Sequence, residues 1–262
     1  MSLPIMVWEN RIDLIDPTSD ITSIGNATGQ LDDFVADRRE YLQWASGNVA
    51  GTDWIRFDLG SPLRVQALGI AGHTIFSSGS SAVRLTADNV GAVGHPLTNV
   101  IVPQFNPLSD RAIVKIFDST YQYWELDFAC GAAPTFIGVV FLAPAYLTWE
   151  MLPESPFDPD HQVLRGAAQT GSEGNLLGIL DEYKLRQFDV SFKFLSPAFI
   201  ENTFWPFFNT NGRTPLFFVL DPANRPDEAS YVRILNDDVT TPFDQNWREV
   251  SLQLGGLFDG YV

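Results

Sequence analysis

From Asp53 to Leu59 the side chains switch between apolar and polar at every residue: Ile55, Phe57 and Leu59 against Trp54, Arg56 and Asp58. Only an extended chain converts a period of two into one apolar and one polar face. The pattern returns at Val83, Leu85 and Ala87, and at Trp124, Leu126 and Phe128 against Tyr123, Glu125 and Asp127. Residues 112–117 and 136–142 are nearly continuous apolar runs, as expected of strands covered on both faces. Short strands broken by Gly, Ser, Pro and Asn predict a mainly β sandwich or jelly roll. No helical period appears before about residue 145, and residues 32–41 read as a short helical or turn segment.

Between residues 144 and 174 the alternation dissolves. Pro153, Pro156 and Pro159 are followed by Gly166, Gly171 and Gly174, the punctuation of a linker or long ordered loop. The expected division is a domain at 1–145, a connection at 146–175 and a second domain at 176–262. The second domain opens with an amphipathic strand, Phe188, Val190, Phe192 and Phe194 facing one way and Asp189, Ser191 and Lys193 the other. Ser196-Pro197 then supplies an N-cap and a first-turn proline. Ile200, Phe204, Phe207 and Phe208 share one helical face. Pro206 predicts that this helix is short or kinked and ends before Asn211-Gly212. Strands are expected at 215–220, 231–235 and 247–254.

The chain has 262 residues, of which 45% are hydrophobic, with 20 Phe and 7 Trp, enough to build a buried core. Its 16 Lys and Arg against 32 Asp and Glu give a formal charge of −16. Such a chain lacks the basic footprint that neutralises phosphates, which argues against general or sequence-specific nucleic-acid binding. An anionic membrane surface would repel it too. Its single cysteine, Cys130, rules out an intrachain disulfide and reads as a small core residue. Residues 1–8 carry no basic region, and no segment approaches the ~20 apolar residues of a membrane helix. No membrane insertion is expected, and synthesis and folding are expected in a cytoplasm.

No constellation for covalent chemistry emerges. His73, His95 and His161 share no metal-ligand spacing, and neither a zinc-protease helix motif nor a nucleophile elbow occurs. The carboxylate pairs Asp32/Asp33, Asp158/Asp160 and Asp237/Asp238 lack the cleft separation a glycosidase needs and the rest of a calcium loop. No catalytic residue, metal ligand or cofactor is therefore assigned, and the chain is expected not to be an enzyme.

Several motifs, in order, carry a family resemblance. Trp44, a Gly-rich turn and Trp54-Ile55-Arg56-Phe57-Asp58-Leu59-Gly60 are followed by Gly72-His73-Thr74-Ile75-Phe76-Ser77-Ser78-Gly79. Tyr121-Gln122-Tyr123-Trp124-Glu125-Leu126 follows, with Gln122 and Glu125 replacing the arginines of the usual pattern. Last comes Asn211-Gly212-Arg213-Thr214-Pro215-Leu216-Phe217-Phe218-Val219-Leu220-Asp221-Pro222. This order resembles the discoidin-like, galactose-binding-like tail-tip and distal-tail structural proteins of tailed bacteriophages.

The resemblance implies an N-terminal galactose-binding-like jelly-roll β-sandwich and a C-terminal tail-tube-like β-sandwich with one flanking helix. It implies a structural component of a phage or prophage tail tip or baseplate, found in the virion and forming a distal ring. That ring would be a hexamer, with a trimer open, in contact with tail-tube and tip or hub proteins. The alternative is a carbohydrate-binding module for bacterial surface glycans. By the same resemblance Trp44 and Trp54 take framework positions in the core, and a structural calcium is possible without a defined ligand set. Ligand-binding loops at one end of the sandwich would draw on Arg38, Arg39, His73, Ser77 and Ser78. The acidity reads either as solubility or as a repulsive wall along a DNA path.

Overall fold

The computed structural model describes residues 2–24, 32–47, 51–90, 95–156, 158, 161–170, 176–226, 228–236, 238–244 and 246–257. Pro159, Asp160, Gly171, Gly174 and Asp237, named above, lie outside them. The chain is mainly β and forms two units. The first is Met1–Thr148 with Leu216–Ser230, and the second is Trp149–Pro215 with Tyr231–Val262.

Ten strands come first: β1 (Ile5–Val7), β2 (Ile21–Ser23), β3 (Trp44–Ala45), β4 (Thr52–Ala71), β5 (Ser81–Asp88), β6 (Asn99–Phe105), β7 (Ile113–Ala129), β8 (Phe136–Ile137), β9 (Val139–Ala143) and β10 (Leu147–Thr148). Then follow β11 (Gln162–Thr170), β12 (Leu176–Leu195), β13 (Leu216–Val219), β14 (Ala229–Ile234), β15 (Phe243–Asp244) and β16 (Trp247–Leu257). The stretch expected as a connection, 146–175, thus holds β10 and β11. The division found also differs from the expected one in sending residues 216–230 back to the first unit.

The first unit is a β-sandwich built on two long antiparallel strands, β4 and β7. The sheet order is β2-β4-β7-β5-β6, with β9 paired to the second half of β4, while β10-β1-β13 and β3-β8 pair separately. Between Asp58 and Leu63 the β4–β7 register jumps. There Gly60 adopts φ +74°, a left-handed conformation costly for a side chain, and donates its N–H to Asp58 Oδ1 at 2.8 Å. This Asp-Leu-Gly-Ser-Pro break re-aims β4, so that Ile55 and Phe57 before it and Val65, Leu68 and Ile70 after it enter one core. Val83, Leu85 and Ala87 of β5 and Trp124, Leu126 and Phe128 of β7 join them, as the alternation predicts. Trp44 meets Phe128 edge-on, ring centroids 6.0 Å apart, a geometry worth ~1 kcal/mol beyond buried area.

The second unit carries the order β14-β16-β12-β11, counting β14 from Tyr231, with β15 on β16. On β12, Phe188, Val190 and Phe192 are buried, but Phe194 is 53% exposed. A register shift between Phe192 and Leu195 inserts one residue, and Phe194 takes φ +58°. This bulge turns Leu195 into the core in its place. Ser196 caps the following helix, accepting from the Phe199 N–H at 3.1 Å while its own N–H and hydroxyl donate to Glu150. The helix has α-helical ends, Pro197–Phe199 and Trp205–Asn211, around a π-helical middle, Ile200–Phe204. Pro206 therefore does not stop it. The chain widens into a π turn just before the residue that lacks an N–H, with Trp205 N–H donating to Ile200 O. Trp149 stacks on Phe192 at 3.8 Å between centroids, and Phe199 and Phe204 close the aromatic cluster. Among the described residues no helix is long and apolar enough to cross a membrane.

Candidate functional site

The loops at one end of the sandwich hold the residues the resemblance singles out. The segment after the Asp32–Ala36 turn meets the turn that starts at Gly72: Gln43 Nε2 donates to Gly72 O at 2.9 Å. Gly138 N–H donates to the same carbonyl at 3.1 Å, and Thr74 N–H to Phe136 O at 3.0 Å. Three loops are thereby fastened to one another.

His73 is buried among them. Its Nε2 donates to Arg111 O at 2.8 Å, and its Nδ1 accepts from Ile75 N–H at 3.4 Å. Burial pushes its pKa down to about 4, so the ring is neutral near pH 7, in keeping with one donating and one accepting nitrogen. Asp110 Oδ1 accepts from the N–H groups of Phe76 and Ser77, and lies 3.9 Å from His73 Nδ1. Ser78 is also buried, bonded to Ile75 O and to the hydroxyls of Ser80 and Thr135. His73 and Ser78 thus hold the turn's shape and are not offered to a ligand.

Arg38 is likewise built into the fold. Its guanidinium donates to Trp8 O and Asp13 and sits 4.8 Å from the Phe141 ring centroid. Arg39 and Ser77 are exposed. The Arg39 guanidinium is held by Asp37 through two nitrogens and lies 5.5 Å from the ring centroid of Tyr41, with Nη1 donating to the Tyr41 hydroxyl at 3.2 Å. This bonding lowers the Asp37 pKa and raises that of Arg39. Tyr41 is 68% exposed and Phe76, beside Ser77, 53%. The exposed surface of this end therefore carries the Tyr41 ring with an oriented guanidinium, a backbone turn and the half-exposed Phe76 ring.

A second polar constellation lies on the sheet face opposite the core. Trp54 stands opposite Asp127 and Arg56 opposite Glu125, and from the other side of β7 Arg84 faces Asp127 and Thr86 faces Glu125. Glu125, fully buried, accepts from Arg56 at Oε2 (2.5 Å) and from His95 Nδ1 at Oε1 (2.8 Å). His95 also stacks on Trp54 at 5.8 Å, and the Arg56 guanidinium lies 4.9 Å from the Trp54 ring. Arg84 Nε donates to both Asp127 oxygens, yet burial raises the Asp127 pKa. Trp54 is thus an outer-face residue, a correction to its expected core position; Trp44 is in the core. The phase of the alternation already carried this, since Trp54 falls with Arg56 and Asp58.

Tyr41 is a further exposed residue of the loop end. Its signal was Arg39 two residues before it, in a segment with no apolar period. Cys130 packs half-buried against the core, and burial pushes its thiol up to about 11. Among the described residues no group of three or more His, Cys, Asp or Glu side chains is placed to hold a metal ion.

No family model matches the sequence, and no curated protein is significantly similar to it. Among solved structures, the chain is similar over 51% of its length to 97% of chitosan-binding module 1 of a chitosanase/glucanase from Paenibacillus sp. IK-5, with 14% identity and a TM-score of 0.43. It is similar over 49% of its length to 96% of the CBM32 of AlyQ, solved with 4,5-unsaturated mannuronic acid, with 19% identity and a TM-score of 0.40. The lectin domain of lectinolysin, complexed with Lewis B antigen, is similar over 97% of its length and 52% of this chain, with 14% identity and a TM-score of 0.41.

Proposed function

We propose that the chain is a non-catalytic recognition protein whose sandwich unit binds a surface glycan through its Tyr41–Phe76 end. The observation that carries this reading is the exposed Tyr41 ring with the Arg39 guanidinium fixed across it by Asp37. A pyranose needs a flat apolar partner for its C–H face and fixed donors for its hydroxyls, and this pair supplies both without further ordering. Ser77 extends the polar rim. The net charge of −16 favours a neutral or amine-bearing sugar over a polyanionic one. The full-length chain on a glycan array tests this. Binding that is lost in Tyr41→Ala and Arg39→Ala, with unchanged thermal melting, is expected. Binding unaffected by either substitution, or no binding to any glycan, would overturn it.

A second reading, a structural protein of a phage tail tip, is supported by the order of the motifs across both units. Antibody-gold labelling of phage particles checks it: label at the distal tail supports this reading, and well-recognised free protein with unlabelled tails counts against it. The two readings are compatible, because a tip protein can also bind sugar.

A further inference from the structure

One oxygen atom holds the turn that carries Phe76 and Ser77. Asp110 Oδ1 accepts from Phe76 N–H at 2.8 Å and from Ser77 N–H at 3.1 Å, and the same atom lies 3.9 Å from His73 Nδ1. The His73 side chain is fully buried and that of Asp110 mostly so. The far end of the turn has its own fastening. Ser78 and Ser80 share hydroxyl bonds with Thr135, and Ser80 N–H donates to Ile75 O at 3.0 Å. Letting go at Asp110 therefore frees Phe76 and Ser77 without undoing this end of the sandwich.

Neutral His73 fits this place and charged His73 does not. With Nε2 donating to Arg111 O, Nδ1 is the acceptor that faces Ile75 N–H. A proton on Nδ1 sets one donor against another and buries a charge. Among the described residues, Asp110 is the one carboxylate within 4 Å of it. The other charged groups nearby are Arg111, whose carbonyl Nε2 already holds, and Arg39 and Glu40. Arg39 is paired with Asp37, and Glu40 meets Gly72 through its backbone and Cβ. Residues 131–138, which close the other side, hold no titratable side chain. Burial is the main force holding the His73 pKa down, and the Asp110 charge is the first to oppose it.

We propose that His73 and Asp110 form an acid latch on the glycan-binding end. When His73 takes up a proton, Asp110 Oδ1 turns to the new Nδ1–H and releases the Phe76 and Ser77 amides. The turn loses its set conformation, and the bound glycan leaves. The latch acts on the glycan site proposed above and so rests on that reading. It gives the site a direction: capture near neutral pH and release in acid. The folded pKa, about 4, lies below the ordinary 6.5, so the latched form is complete above pH 6.5 and is lost as the pH falls towards 4. By reciprocity, a glycan that favours the latched turn resists protonation of His73.

Two-dimensional NMR of the full-length chain, followed from pH 6.5 to about 4, tests the latch without a ligand. The Phe76 and Ser77 amide protons are expected to move upfield together, in step with the His73 ring, as their bonds to Asp110 are lost. In His73→Gln that step should be absent. A step that persists unchanged in His73→Gln would mean that Asp110 takes the proton by itself, and would overturn the latch. So would amides that stay in place while the His73 ring titrates. Asp110→Asn keeps an acceptor oxygen but no charge, and should lower the His73 midpoint; an unmoved midpoint counts against the pairing. A glycan array read at pH 6.5 and at about pH 4 tests the consequence. Glycans captured through Tyr41 at the higher pH should bind about tenfold more weakly at the lower one, and about equally at both in His73→Gln. Equal wild-type binding at both would overturn the latch and leave the glycan reading standing. No binding at pH 6.5 would sink that reading and the latch with it, even where the amides move.

Discussion

Gly69 and Phe217, far apart in the chain, are in direct contact: a Cβ built on Gly69 would lie 2.5 Å from Phe217 Cε2. Phe217 in turn meets Phe141 edge-on at 5.1 Å, and all three are buried in the sandwich unit or line its interior strands. The contact requires β13 to belong with β1 and β9, whatever the spacing in sequence.

Gly69→Ala should therefore destabilise the protein by about 1–3 kcal/mol through overpacking. Phe217→Ala, which empties the same place, should cost about 3–5 kcal/mol. Together the losses should be less than additive, because the cavity accepts the new methyl. Urea denaturation of the two single variants and the double variant measures this; strict additivity would refute the contact.

His73 makes stability pH-dependent in a defined window. Its folded pKa, about 4, lies below its ordinary value of 6.5, so the unfolded chain binds the proton first. The contribution is complete above pH 6.5 and declines as the pH falls towards 4, by up to about 3 kcal/mol. In His73→Gln that slope should vanish. Asp37 and Asp118, whose pKa values are lowered by Arg39 and Arg64, lose their contributions only below the usual carboxylate range. Denaturation midpoints at closely spaced pH values separate the two regimes, and a wild-type profile flat between pH 6.5 and 4 would sink the assignment.

Glu125 is a buried anion with both oxygens in use. Glu125→Gln leaves Arg56 beside a neutral amide and should cost about 3 kcal/mol, as expected for one partner removed from a buried pair. Trp54 fluorescence should shift as His95 loses its anchor. A loss below about 1 kcal/mol would mean that water already screens the pair.

Adjacent residues at the β12 bulge should respond with opposite sign. Phe194→Asn relieves a bulky side chain of a left-handed backbone and should stabilise by up to about 1 kcal/mol. Leu195→Ala should cost about 2–5 kcal/mol, because Leu195 is fully buried. Thermal melts of the two variants moving in the same direction would contradict the bulge.

That bulge also marks where reading a sequence by period fails. The pattern of 187–194 assigns Phe194 to the core, but a single inserted residue exchanges the faces, and period alone cannot register an insertion. Elsewhere the period was sufficient: the inward residues of β4, β5 and β7 are those the alternation selects, and Ser196 caps the helix through local chemistry. The helix runs past Pro206 because a π turn absorbs the missing donor, a tertiary accommodation with no local signal. At the loop end, position relative to the motif points to Arg38, Arg39, His73, Ser77 and Ser78 alike, of which Arg39 and Ser77 are exposed. Burial of His73 and Ser78 depends on loops 30 to 60 residues away, Arg111 at a separation of 38 and Thr135 at 57. The allegiance of 216–230 was likewise illegible, since β13 reads as a strand whichever unit it completes.

The return of β13 to the first unit sets an order of events during translation. β1 and β9 leave the ribosome early, but the strand that covers β1 emerges only after all of 149–215 has been made. Throughout that interval the nascent sandwich carries an uncovered β1 edge and a vacant seat for Phe217, the kind of exposed surface that chaperones hold. Slow decoding between residues 149 and 215 should therefore favour aggregation, whereas the same pause after residue 230 should be harmless to the sandwich.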